Sequence, residues 1–113
     1  MSIRIGNIGI DTNDLARATA FWQAATGYQV ASSDESGTYL EDPTKAGVGL
    51  SVQLVPERPS GKNRLHLDLV TDDPAGEIAR LRSLGATQVR RFDDGGWVVL
   101  ADPDGNQFCV VTD

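Results

Sequence analysis

Three side chains in this 113-residue sequence are singled out as candidates for chemistry, and two are the only ones of their type: His66 and Cys109. The third, Asp68, follows the histidine by two positions in His66-Leu67-Asp68-Leu69. In a strand, residues two apart share a face, so Asp68 could orient the imidazole or bind a ligand amine, or be a solvated carboxylate. His66 itself could be a metal ligand, a general base or a hydrogen-bonding group for a ligand, or a satisfied histidine of a pocket. Cys109 reads first as an inert buried thiol, because no second histidine exists to activate it. His66 and Asp68 are therefore the candidate catalytic pair. The sequence carries no Ser-His-Asp motif, no paired catalytic carboxylates and no dinucleotide fingerprint.

These residues need strands to hold them. Alternation and β-branched residues predict strands near 4–11, 28–33, 38–42, 48–55, 64–71, 87–92, 96–101 and 106–112. Two helices are predicted. The first runs from Asn13 to Gly27, with Leu15, Ala18, Phe21, Trp22 and Ala25 as its apolar stripe, Thr12 or Asn13 as its cap and Gly27 as its stop. The second runs from Pro74 to Leu84, capped by Asp73 and ended by Gly85. Turns are expected at 34–37, 93–96 and 103–105. On each of four strands one face is apolar (Leu65, Leu67 and Leu69, for example) and belongs against the helices. The other is mixed and polar, carrying Asn7, Gln53, His66, Asp68 and Cys109.

The order strand, helix, three strands occurs twice. Asn7–Asp14 lies over His66–Asp73 at an offset of 59, and Tyr39–Pro43 lies over Val99–Pro103 at an offset of 60. The chain is therefore expected to be one α+β domain, 1–113, made of two βαβββ modules, 1–56 and 63–113, joined by a linker, 57–62.

Composition bounds the function. Hydrophobic residues make up 40% of the chain, ordinary for a globular domain. The longest apolar run, Trp97–Ala101, is far short of the roughly 18 residues a membrane span needs. The first residues lack the apolar core of a signal peptide, and a lone cysteine fits a reducing setting, so a cytoplasmic location is expected. The net charge of -6, spread over both halves, argues against nucleic acid as a partner. Adjacent Phe21 and Trp22 cannot easily face one core, which together with the resemblance below suggests a homodimer.

Several strings resemble the vicinal oxygen chelate superfamily, the glyoxalase / bleomycin resistance protein / extradiol dioxygenase group. They are Asn7–Asp14 followed by Phe21-Trp22 and Thr26-Gly27, His66–Leu69, Leu84-Gly85-Ala86 and, most specific, Asp102-Pro103-Asp104-Gly105-Asn106. The likeness spans essentially the whole chain and is to the small glyoxalase-like proteins. It implies a mixed sheet curled into a cup, with both helices on the convex side and four metal positions on the cup floor, on the first and fourth strands of each module. Carried over, these are Asn7, where the family often has His; Gln53, where it often has Glu or Gln; His66, which keeps the family residue; and Cys109, where metal enzymes usually have Glu. Asn7 and Gln53 bring no charge, and Cys109 ligates only as a thiolate. The expectation is therefore a protein that binds a small organic ligand through Asn7, Gln53, His66, Cys109 and the apolar wall of Trp97, without a tightly held metal or other cofactor. If a divalent metal is bound, its ligands are Gln53, His66 and Cys109. The alternative is a metal-dependent lyase, isomerase or dioxygenase in the same cup. A regulatory module without ligand chemistry is a third.

Overall fold

A computed structural model describes residues 5–60, 63–92 and 97–112. The turn expected at 93–96, linker residues 61–62 and the first four residues lie outside the described residues. The chain divides into two compact units, Met1–Arg58 and Pro59–Asp113.

In the first unit, β1 (Asn7–Thr12), α1 (Leu15–Thr26), β2 (Gln29–Ser33), β3 (Gly37–Glu41) and β4 (Gly49–Leu54) follow one another. The sheet order is β1-β4-β3-β2, with β1 parallel to β4 and the other pairs antiparallel. The second unit repeats this with β5 (Asp68–Val70), α2 (Pro74–Ser83), β6 (Thr87–Phe92), β7 (Trp97–Ala101) and β8 (Gln107–Val111) in the order β5-β8-β7-β6. Among the described residues the architecture is thus the α+β arrangement of eight strands in two mixed four-stranded sheets with two helices. The repeat extends to irregularities: the β2–β3 ladder slips between Val30 and Ser32, the β6–β7 ladder between Gln88 and Arg90.

The helix entries are duplicated bond for bond. Asp14 caps α1 by accepting from the Arg17 N–H, and Asp73 caps α2 by accepting from the Gly76 N–H. The threonine two residues earlier accepts from each cap's own N–H: Thr12 from Asp14 at 2.9 Å, Thr71 from Asp73 at 3.0 Å. The first cap is therefore Asp14 rather than Thr12 or Asn13. The capping oxygen must reach an N–H three residues on, and the helix begins only at Leu15. Asn13 instead donates to the carbonyls of Val55 and Glu57, both at 2.9 Å. Gly27 ends α1 with φ of 75°, a left-handed conformation that glycine adopts without a Cβ penalty.

Helix α1 packs on β3 and β4. Ala18, Phe21 and Trp22 are buried with Ile10, Leu40, Leu50 and Val52. Phe21 and Trp22 both go inside, edge to face, with ring centroids 5.1 Å apart. An apolar helix stripe is wider than 100°, so two neighbours fit within it. The aromatic pair therefore gives no apolar excess, and that argument for a dimer falls away.

The apolar face expected on strand five holds only in part. Leu67 and Leu69 are half-buried, but Leu65 is 89% exposed. The regular strand begins only at Asp68, and Arg64 and Leu65 form a bend. Among the described residues no helix is long and apolar enough to cross a membrane.

Two hairpin carboxylates should make the first unit acid-sensitive. Asp34 Oδ1 accepts from the Ser36 N–H and hydroxyl at 2.8 Å and from the Gly37 N–H at 3.0 Å. Asp42 accepts from the Thr44 hydroxyl at 2.7 Å, the Thr44 N–H at 2.8 Å and the Gly47 N–H at 2.7 Å. These donors, the Ser36 and Thr44 hydroxyls foremost, hold both carboxyls below the ordinary aspartate value of 3.8. A lowered carboxyl contributes stability above its unfolded value and loses it as pH falls through the folded one. Melting temperature should therefore drop as pH falls below the ordinary aspartate value, and Asp42→Asn should flatten that drop. An unchanged pH profile in the variant would remove Asp42 from the account.

Candidate functional site

The β5–β8 pair builds one cluster. Asp68 lies directly opposite Cys109 in the parallel ladder, so their side chains leave the same face. The pairing continues one residue before β5, where the Leu67 carbonyl accepts from the Cys109 N–H at 2.8 Å. This holds the His66–Asp68 segment on β8. His66 Nε2 lies 3.3 Å from Asp68 Oδ1. The ligand atoms of His66, Asp68 and Cys109 all fall within 4.8 Å of one another. His66 and Asp68 are exposed, while the Cys109 thiol is 6% exposed at the base. The contact is at ion-pair distance, and Nδ1 is the second hydrogen-bonding or ligand atom of the ring.

Asn63 pins this cluster from outside the regular strand. Its Oδ1 accepts from the Gln107 N–H at 2.8 Å and its Nδ2 donates to the Gln107 carbonyl at 3.0 Å. The same Nδ2 donates to the Leu65 carbonyl. A side chain thus supplies the rung that strand backbone would otherwise make.

Trp97 opens β7 opposite Phe92. Val99 pairs with Cys109, so Trp97, two residues before Val99, shares the face of Cys109 and Asp68. Its ring stacks on Phe92 with centroids 4.9 Å apart and remains 36% exposed. The Arg90 guanidinium sits 4.4 Å above Phe92.

In the first unit Asn7 and Gln53 are both exposed on the polar face, but they are not together. Asn7 lies opposite Gly49 and Gln53 opposite Asp11, four rungs along, which is about 13 Å at the strand rise. The residue beside Asn7 is Ser51, whose hydroxyl donates to Asn7 Oδ1 at 3.0 Å. Ser51 pairs with Gly9 as Cys109 pairs with Asp68, so Ser51 is the counterpart of Cys109 in the repeat. The offset of 59 to 60 carries this signal in the sequence, since it maps Cys109 near position 50 rather than 53.

Gln53 instead lines a cavity of about 350 Å³ within the first unit, with Ser32, Asp34, Ser36, Tyr39 and Ser51 among its walls. The Tyr39 ring reaches Gly49, where an added Cβ would collide with it.

The His66–Asp68–Cys109 donor set is a thiol, an imidazole and a carboxylate. That mixture suits a borderline-soft dication such as zinc, whereas manganese prefers all-oxygen surroundings. Asp68 is the donor that the sequence reading left out of its metal set.

The glyoxalase-like domain family matches residues 7–111. No curated protein matches the chain. Among solved structures, a glyoxalase/bleomycin resistance protein/dioxygenase family enzyme from Burkholderia phytofirmans superposes with a TM-score of 0.81 at 18% identity, covering 97% of this chain and 98% of that one. A fosfomycin resistance protein, FosX, from Listeria monocytogenes, in complex with manganese(II) and a dihydroxypropylphosphonic acid, gives 0.78 at 17% identity over 98% and 90%. A glyoxalase-related enzyme from Fulvimarina pelagi gives 0.76 at 18% identity over 97% and 88%.

Proposed function

We propose that this chain, which belongs to the glyoxalase-like domain family, binds a small organic molecule on its polar sheet faces and holds no resident metal. The observation that carries the reading is the exposed His66 imidazole held 3.3 Å from the Asp68 carboxylate, above a buried thiol. With Nε2 facing Asp68, Nδ1 is the atom that meets the ligand. His66 and Asp68 are the candidate catalytic pair if the bound molecule is turned over. Trp97, on the same face, supplies an apolar wall. Cys109 completes the proposed ligand-binding set of the second unit, and Asn7 and Gln53 are proposed as separate ligand contacts on the polar face of the first. A cytoplasmic homodimer is part of the proposal. The exposed edge strands β2 and β6 favour self-association, and light scattering that gives a monomer at high micromolar concentration would remove it.

A second reading is favoured by the gathering of His66, Asp68 and Cys109. These three would hold a zinc-class ion, which would supply Lewis-acid polarisation of a ligand carbonyl or hydroxyl. The family relationship admits lyase, isomerase or dioxygenase chemistry under this reading.

Metal analysis of the purified protein, a thermal-shift ligand screen and His66→Ala test both readings. The metal-free reading expects no stoichiometric metal and no change in melting temperature on adding zinc. It also expects His66→Ala to weaken the screened ligand about tenfold, the worth of one hydrogen bond. A stoichiometric transition metal that is lost in His66→Ala and required for turnover would overturn it in favour of the second.

A further inference from the structure

We infer that the cavity beside Gln53 takes the hydroxyl-bearing part of an uncharged, polyhydroxylated molecule of glycoside or polyol type. The inference rests on the small-molecule reading above and names the ligand class for the first unit. Its basis is a row of side chains set by strand register. Ser32 lies opposite Tyr39, and Tyr39 lies opposite Ser51, so the three leave one face of β2, β3 and β4 side by side. Gln53, opposite Gly37, extends that face by one rung. Gly37 has no side chain to cover the floor there.

The four groups of this row, the Ser32 and Ser51 hydroxyls, the Tyr39 phenol and the Gln53 amide, can each both donate and accept. A ligand hydroxyl has the same dual character. The Ser51 hydroxyl already donates to Asn7, which leaves its lone pairs towards the cavity as acceptors. The Tyr39 ring is the one aromatic surface among the described lining residues, and it offers an apolar face to the carbon skeleton of a polyol.

Charge selects against the alternatives. No described lining residue is basic, and the one charged wall group is the Asp34 carboxylate. An anionic ligand would meet repulsion with no compensating cation among the described lining residues. A cationic ligand gains little, because its partner would be this single exposed carboxylate, and an exposed ion pair is worth only about 0–1 kcal/mol. An uncharged hydroxyl-rich ligand is what remains.

The test uses the full chain and amide-detected NMR with three probes: methyl glucoside, glucose 6-phosphate and glucosamine. The neutral glycoside should perturb Ser32, Tyr39, Ser51 and Gln53. Both charged probes should bind there at least about fivefold more weakly, and Ser51→Ala with Gln53→Leu should weaken the glycoside by a similar factor. The variants' own amide spectra verify their fold. Tighter binding of the phosphate or the amine at this face would overturn the ligand class and leave small-molecule binding standing. Glycoside binding unaffected by both substitutions would move the site elsewhere and also overturn the inference. If no probe perturbs the face but a ligand from the thermal-shift screen binds in a His66-dependent way, the inference fails alone. If neither occurs, the functional reading fails with it.

Discussion

Replacing Asp102 by alanine is expected to destabilise the second unit by about 3 kcal/mol or more, a larger effect than at any exposed carboxylate of the chain. Asp102 follows β7 directly and is only 3% exposed. Its Oδ1 accepts from the Asp104 N–H at 2.9 Å and the Asn106 N–H at 2.8 Å, and its Oδ2 accepts from the Asn106 side-chain amide at 3.1 Å. Its backbone N–H also donates to the Asn106 carbonyl at 2.8 Å. One buried carboxylate therefore organises the whole Asp102–Asn106 turn that feeds β8, and with it the position of Cys109. Hydrogen bonds to a charged acceptor are each worth about 1.5–3 kcal/mol, and losing the acceptor strands donors in a partly buried turn. For a chain of this size the loss corresponds to roughly 10 °C in melting temperature. Asp102→Asn keeps the shape but turns an amide towards one of the donors, so it should fall between wild type and alanine. Asp42 is an internal control. It makes the matching turn in the first unit, accepting from the N–H two residues on, but is only half-buried. Asp42→Ala should cost clearly less. Equal losses at the two positions, read by urea unfolding, would show that burial is not what makes Asp102 matter.

The duplication was legible in the sequence because its signals are local. Thr-x-Asp before each helix and Asp-Pro after each third strand are short side-chain-to-backbone motifs, and each recurs with its hydrogen bonds intact. Helix ends and most strands lie within two residues of expectation for the same reason. The entry to β5 was not legible. Arg64–Val70 alternates like a strand, yet it is a bend followed by three strand residues, because the Asn63 side chain occupies hydrogen-bonding positions on β8. The pairing of Gln53 with Asn7 failed on register. Gly49, Ser51 and Gln53 all leave one face, and alternation alone cannot say which lies beside Asn7. Asp68 as a third donor was within reach, since a residue two along from a histidine shares its face. Its place beside Cys109 depends on the parallel β5–β8 register, a long-range fact.

That bend gives the second large effect. Asn63→Ala should lose about 2–3 kcal/mol, from three bonds at roughly 1 kcal/mol each. More specifically, it should unpin the segment that carries His66. In the wild type the Gln107 N–H donates to Asn63 Oδ1, and two residues on the Cys109 N–H donates to the Leu67 carbonyl. The two bonds are consecutive rungs on β8, one made by a side chain and the next by backbone. Removing the first lets the chain fray from Leu65, which is already turned out to solvent, towards His66. Hydrogen exchange should report this directly. The Gln107 amide should lose protection strongly and the Cys109 amide partly, while amides of β7 away from that end keep theirs. Asn63→Asp separates the two functions of the side chain. It retains an acceptor for the Gln107 N–H but places a carboxylate where Nδ2 donated to the Leu65 and Gln107 carbonyls. It should be at least as destabilising as alanine, because two carbonyl oxygens would then face a negative charge. A neutral outcome for both variants, with Gln107 still protected, would mean that β8 and Leu67 alone hold His66 beside Asp68.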